Sequence, residues 1–538
     1  MTTVREATYD VLRDLGMTKI FGNPGSSELP FLKDMPSDFQ YVLGLHERVA
    51  AGMALGYAMA REEAAFVNLH SIASAGNGLS AMIDAYQCQA PLVITTGQQD
   101  RRQVLAEPFL VSRAVEVVKP YVKWAYEPLR PEDVPAAIAR GYHLAMQPPR
   151  GPVFISIPMD DWNKPCQPVV ARKVTQSVSP DTAALDEVVR AIDASRKLAL
   201  VTGAQIEQDR AWNDVIALAE LLNTDVYAEP IASRWAFPRS HRLFRGGLLP
   251  AQKPLADQLA AYDTVVVLGA PVFLYYAYVP GDPIRPGTKL FQITNSPRDA
   301  SAALAGTSIV GNIAVAAKYL AERVKPVERS ATPPCPPAPD PKAEYPMTTA
   351  YLFSVMNKLL PRDAIISEEC PSSKGDLDGY VKLDEPGSFY SVRTGILGFG
   401  LPLAVGLQLA HPNRRVVCPV GDGSAQYSIQ ALWSAVQCGA PVTFVVVCNG
   451  NYSALKGFRD FTQVGKNVPG IDIPGIDAVK IAQGYGMAAC EVDRPEDLEP
   501  ALKEALSAKE PRLVSVNVQQ GGQKTMGMDQ SVNPPNYG

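Results

Sequence analysis

At 538 residues the chain is too long for one hydrophobic core and predicts about three domains. Its composition, 46% hydrophobic and 20% charged, is that of an ordinary globular protein, and a formal net charge of -5 offers no basic field for nucleic acid. The N-terminal stretch MTTVREATYDVLRDLG carries acids among its apolar positions and no apolar run reaches membrane-spanning length, so a cytoplasmic protein with neither nucleic-acid nor membrane partners is expected.

Residues 1–180 alternate short apolar runs with amphipathic stretches: TKIFGNPG, HERVAAGMALGYAMA, AAFVNLHSIASAGNGLSAMIDAY, APLVITTGQQ and GPVFISIPMD. Strands alternating with helices predict a parallel sheet covered on both faces. A second α/β block follows over 181–325, with LALVTGAQI, WNDVIALAELLN and YDTVVVLGAPVF as its recognisable pieces. No GxGxxG occurs there, which argues against a flavin or nicotinamide dehydrogenase. Residues 326–346 are so rich in proline that an extended linker is expected. From 347 to 538, strands such as AIISEE, RRVVCPVGDG and PVTFVVVCNGN alternate with helices such as LPLAVGLQLA and SIQALWSAVQ. The fold class expected is therefore α/β, with three open parallel-sheet domains. The first and third blocks share an alternation but no repeat at the level of residues. Eight cysteines lie singly, with no CxxC pair, which argues against disulfides and structural zinc.

The most informative stretch is Gly421-Asp422-Gly423 at the end of an apolar strand, followed about two dozen residues later by Cys448-Asn449-Gly450-Asn451 at the end of another. Glycines let the backbone approach a phosphate closely, a helix starting after Ser424 would offer free N–H groups, and Asp422 can hold a hard cation. Magnesium takes oxygen ligands, which Asp422, the Asn449 side chain and the main chain at Asn451 can supply. A second signal is Glu47, which begins an otherwise apolar helix after the strand FQYVLGLH. Alone, it reads as a favourable first-turn charge.

The GDG stretch, its spacing and the asparagine that follows resemble the thiamine diphosphate motif of the pyruvate decarboxylase and acetolactate synthase superfamily. Cys448 departs from the asparagine usual there. FGNPGSSELPFLKD, NLHSIASAGN, TTGQQ, VKWAYEP, PMDDW and NVPGIDIPGID resemble benzoylformate decarboxylases more closely, over nearly the whole chain. The resemblance implies three domains that bind pyrimidine, form the centre and bind diphosphate, with thiamine diphosphate and Mg2+ as cofactors. It implies a homo-oligomer, commonly a tetramer, with active sites between subunits. The activity implied is non-oxidative decarboxylation of a 2-oxo acid with an aromatic or bulky apolar substituent. Its alternatives are a carboligase that forms 2-hydroxyketones and a cofactor-binding protein without turnover.

Carried over by residue, the resemblance assigns Glu47 to the cofactor's pyrimidine N1′, a task suited to a desolvated carboxyl with a raised pKa. It assigns Ser26 to the substrate carboxylate and His70 to proton relay at the reacting oxygen. Gly421, Asp422, Gly423, Ser424, Asn449, Asn451 and Tyr452 fall to the diphosphate and its metal, and Asn77 also to the cofactor. The Gly395 carbonyl bonds the 4′-amino group, and Leu397 keeps the cofactor bent. Phe109, Leu110, Leu455 and Phe458 line the substrate pocket.

The family's second active-site histidine, thought to protonate the species left after carbon dioxide departs, is Tyr276 here. The five histidines of the chain are His46, His70, His143, His241 and His411, so none substitutes by a small register shift. A phenol, with an ordinary pKa near ~10, is a poorer proton donor at neutral pH than an imidazolium, so slower aldehyde release or more ligation is expected. Ser391, in place of a frequent aromatic wall residue, and Pro371 beside Cys370 are further departures that leave the substrate open.

Overall fold

The computed structural model describes residues 2–111, 113–325 and 333–520. Three six-stranded sheets organise it, and every strand pairing is parallel. In spatial order the first sheet runs Gln40–Leu43, Lys19–Asn23, Ala65–Leu69, Leu92–Gln98, Val153–Pro158 and Trp124–Tyr126. Numbered along the chain, that order is 2-1-3-4-6-5. The third sheet has the same order: Phe389–Tyr390, Ile365–Ser367, Val416–Gly421, Thr443–Cys448, Arg512–Asn517 and Ala488–Val492. The relation between first and third blocks, invisible at the level of residues, is thus one of topology. The central sheet reads Thr307–Val310, Lys289–Thr294, Thr264–Leu268, Leu198–Thr202, Asp225–Ala228 and Phe244–Gly247, the 3-2-1-4-5-6 order of doubly wound folds.

Central strands such as Ala65–Leu69 and Thr264–Leu268 are buried along their whole length, as strands covered on both faces must be, and are correspondingly apolar. We propose dividing the chain at 1–180, 181–325 and 347–538, so that each unit holds one sheet. The segment 326–332, the first third of the proline-rich linker, and the tail from 521, with its SVNPPNYG end, lie outside the described residues. No helix among the described residues is long and apolar enough to cross a membrane.

One packing event places the site. The helix Glu47–Arg61 of the first domain lies against the helix Gly400–Ala410 of the third, and both contribute to one hydrophobic cluster shared by the two sheets. Their backbones approach too closely for side chains at the crossing. A Cβ at Gly406 would sit 2.0 Å from the Met53 carbonyl oxygen, and one at Gly56 would sit 2.2 Å from that of Leu403. Glycine is required at both positions by steric exclusion, not by backbone angle.

Candidate active site

In a doubly wound sheet ligands gather where the strand order reverses, outside the carboxyl ends of the strands. In the first sheet that point lies between Lys19–Asn23 and Ala65–Leu69, and the loop Asn23-Pro24-Gly25-Ser26 and His70 leave from these two strand ends. The loop presses on the histidine, since a Cβ on Gly25 would meet the His70 ring at 2.4 Å. His70 Nδ1 lies 2.9 Å from both Glu28 Oε2 and Ser27 Oγ. Glu28, almost wholly buried, also accepts from the Gly25 amide and the Ser27 hydroxyl. The hydrogen bond that His70 donates to Glu28 raises the His70 pKa against the opposing effect of burial. With Nδ1 committed to Glu28, Nε2 is left for chemistry. Ser26 is exposed on the same loop.

Glu47 opens its helix beside this point, with His46 as N-cap. Its carboxylate accepts from Ser74 Oγ at 2.7 Å, Asn77 Nδ2 at 2.9 Å and Asn23 Nδ2 at 3.2 Å. Here the structure corrects an expectation. Burial does raise the Glu47 pKa, but the donors from Ser74 and Asn77 outweigh it and the group lies below its ordinary value. These donors favour the carboxylate form, which suits an acceptor facing a protonated ring nitrogen. Asn77, expected to touch the cofactor, here orients Glu47.

The diphosphate half is built on the third sheet. The strand Val416–Gly421 ends where Asp422 begins a short helical turn, Asp422–Ala425, so the helical run starts at Asp422 instead of after Ser424. Asp422 is buried, which raises its pKa, and it accepts from the amides of Gly423, Asn449 and Gly450 at 2.8, 3.1 and 2.7 Å. A carboxylate offers about four acceptor positions, so three amide bonds leave one for a cation. Asn449 Oδ1 accepts from the Asn451 amide at 3.1 Å and keeps its second lone pair. Gly423 is packed under Tyr452, whose ring a Cβ there would meet at 2.5 Å. A cavity of about 590 Å³ opens on Asp422, Asn449 and Gly450 and is lined wholly by third-domain residues. The residues present thus fit a hard cation and a diphosphate.

The loop ahead of the helix Gly400–Ala410 turns through Gly395 at φ +71° and Gly398 at φ +93°. Buried Glu369, its pKa pushed up to about 8 by burial, accepts from the amides of Gly398 and Gly400 and anchors the loop that presents Gly395 and Leu397.

Tyr276, on a central-domain loop, meets Phe458 with ring centroids 5.4 Å apart, and Leu455 is half exposed on the same helix, Ser453–Thr462. Phe109 and Leu110 stand apart on the first domain, with Phe109 87% exposed. The candidate residues therefore fall into two groups, two candidate half-sites. Ser26, His70, Glu47 and Phe109 belong to the first domain, while Gly395, Leu397, Asp422, Asn449 and Phe458 belong to the third, with Tyr276 of the central domain against Phe458. Sequence reasoning missed Glu28 and Ser74, although both lie inside motifs it singled out.

Comparison with known proteins identifies the family. The N-terminal TPP binding domain of thiamine pyrophosphate enzymes matches residues 2–115, the central domain matches 185–320 and the C-terminal TPP binding domain matches 372–516. A benzoylformate decarboxylase of Pseudomonas aeruginosa is 43% identical, with 96% of this chain and 99% of that one covered. The acetolactate synthase large subunit of Haemophilus influenzae is 25% identical, with 95% and 93% covered. Among solved structures, the thiamine diphosphate-dependent 4-hydroxybenzoylformate decarboxylase of Rhodococcus jostii superposes with a TM-score of 0.94 at 40% identity, covering 96% of this chain and 99% of that one. The benzoylformate decarboxylase of Polynucleobacter necessarius gives 0.95 at 40% identity over the same shares. The chain belongs to the thiamine pyrophosphate enzyme family.

Proposed function

We propose that this protein decarboxylates benzoylformate or a similarly bulky aryl 2-oxo acid, releasing the aldehyde and carbon dioxide. The observation that carries the reading is the pair of half-sites, in which a carboxylate held by Ser74, Asn77 and Asn23 is matched by a cation and diphosphate cradle on another sheet of the same topology. A protein that only bound the cofactor would have no need of Glu47. The likeness to benzoylformate decarboxylases over 96% of the chain supports the substrate class.

Thiamine diphosphate, when bound, supplies the nucleophilic carbon and the electron sink that the reaction requires. Asp422, the Asn449 side chain and the Asn451 main chain hold Mg2+ against the diphosphate. Glu47 would accept from the pyrimidine N1′ of a cofactor held by the partner subunit in a homodimer, with two dimers in a tetramer. Ser26 donates to the substrate carboxylate, and His70, oriented by Glu28, moves a proton at the oxygen of the former keto group. Phe109, Leu110, Leu455 and Phe458 exclude water and receive the aryl group.

Tyr276 favours a second reading, carboligation, because it stands against Phe458 where a stronger acid would hasten release of aldehyde. The test is incubation with thiamine diphosphate, Mg2+ and benzoylformate or aliphatic 2-oxo acids, following carbon dioxide, aldehyde and hydroxyketone together. Rapid aldehyde from benzoylformate is expected. Hydroxyketone as the main product transfers the assignment to carboligation, and no turnover of any 2-oxo acid overturns both.

A further inference from the structure

The residue after Glu47 points to the other half-site. Arg48 is 4% exposed, and its Nη1 donates to Asp84 Oδ2 at 2.7 Å. Its Nε and Nη2 reach across the domain boundary to the carbonyls of Gly398 at 3.3 Å and Leu397 at 3.4 Å. Asp84, fully buried on the helix Ile72–Gln87, accepts in turn from the Thr394 hydroxyl, which itself receives the Ile396 amide. Arg48 and Asp84 thus clamp the loop 394–398 at both ends, while Glu369 holds the Gly398 amide. A guanidinium suits this because its planar fork bonds a carboxylate and two carbonyls at once. The same two helices hold Glu47, through Ser74 and Asn77.

We propose that Arg48 is a positioning residue for the cofactor loop of its own chain, so that Glu47 and Arg48, neighbours in sequence, serve opposite active sites of the dimer. This rests on the assignment of Glu47 to the partner subunit's cofactor. Burial of two consecutive side chains at a helix start makes the division possible. Glu47 turns back onto its own sheet's strand ends, while Arg48 crosses to the third domain. The loop that keeps the cofactor bent is thereby tied to the helix start that activates the neighbouring cofactor.

The test separates position in cis from action in trans. Arg48→Met alone leaves the Asp84 charge buried and unpaired, which endangers folding. The variant Arg48→Met/Asp84→Asn removes that charge and keeps an acceptor for Thr394. Calorimetric titration of the apoprotein with thiamine diphosphate and Mg2+ should show affinity reduced about tenfold, from loss of charge-assisted bonds to the loop. Arg48→Lys should fall between the variant and wild type. Unchanged affinity in the double variant overturns the proposal, whether or not benzoylformate is the substrate.

The second arm uses hybrids of a Glu47→Gln chain with an Arg48→Met/Asp84→Asn chain, purified through two affinity tags and assayed at limiting cofactor. If Arg48 acts in cis, one site of the hybrid dimer collects both defects and the other is intact, so activity exceeds that of either parent. If Arg48 acts with Glu47 at the partner's site, the hybrid falls below the Arg48→Met/Asp84→Asn parent, and the proposal fails. Absence of turnover in the wild type would instead defeat the functional assignment and leave the calorimetric result standing.

Discussion

Replacing Glu28 by glutamine tests how the first-domain half-site is charged. The side chain stays isosteric, but His70 Nδ1 loses an ionised acceptor at 2.9 Å in a place where the glutamate side chain is only 1% exposed. A hydrogen bond to a charged group contributes about 1.5–3 kcal/mol net, and one pH unit corresponds to about 1.36 kcal/mol. Glu28→Gln should therefore lower the His70 pKa by about one to two pH units. The sign for stability follows from linkage. Because Glu28 raises the His70 pKa above its unfolded value, the contribution is fully present below about pH 6.5 and is lost as pH rises through the folded value. The variant should thus be less stable than wild type at pH 5.5, and the part of the difference due to His70 should vanish at alkaline pH. The assay is a titration of the His70 ring by nuclear magnetic resonance, with kcat/KM against pH in parallel. A His70 pKa unmoved by Glu28→Gln would refute the reasoning, since no other carboxylate contacts the ring among the described residues.

Further outcomes follow from other contacts. Arg234, buried where three domains meet, pairs with Glu62 and Glu207 and lies over the Tyr390 ring, so Arg234→Met should cost about 3 kcal/mol in chemical denaturation by stranding buried Glu207, while Glu62 keeps Arg150. Gly406→Val should lower stability by about 3 kcal/mol or more through a backbone collision at Met53, and a thermal melt unchanged from wild type would contradict the helix crossing described. Tyr276→His should raise the decarboxylation rate and lower the ligation yield, and no change in either would remove Tyr276 from the proton-transfer step. Asp422→Asn, which keeps an oxygen for the Asn449 and Gly450 amides, should abolish cofactor binding at millimolar Mg2+, as calorimetry would show.

Parts of the site that are contiguous in the chain were accessible from the sequence. A phosphate cradle is made from consecutive backbone amides after a strand, so Gly421-Asp422-Gly423 declares itself locally, and Asn449 follows at the end of the next strand. Glu47 at a helix start and the Asn23–Ser26 turn are likewise properties of single segments. The α/β class could be read for the same reason, because the periodicities of buried strands and covering helices are local.

What depended on tertiary structure was every relation between segments distant in the chain. Glu28 and His70 meet only because Lys19–Asn23 and Ala65–Leu69 pair in parallel, and nothing near either residue announces that pairing. The Glu47 pKa was misjudged because its donors come from the facing helix, so burial was visible in prospect and compensation was not. Gly56 and Gly406 look like blemishes in apolar helices until the two backbones touch. Arg48 looks like a surface cation until Asp84 and the Leu397 carbonyl close around it. Sequence alone determined which local chemistries the chain carries, because those are set by neighbours along the backbone. Which of them face one another was decided by the packing of three sheets, because desolvation and hydrogen-bond partners are properties of the surroundings in space.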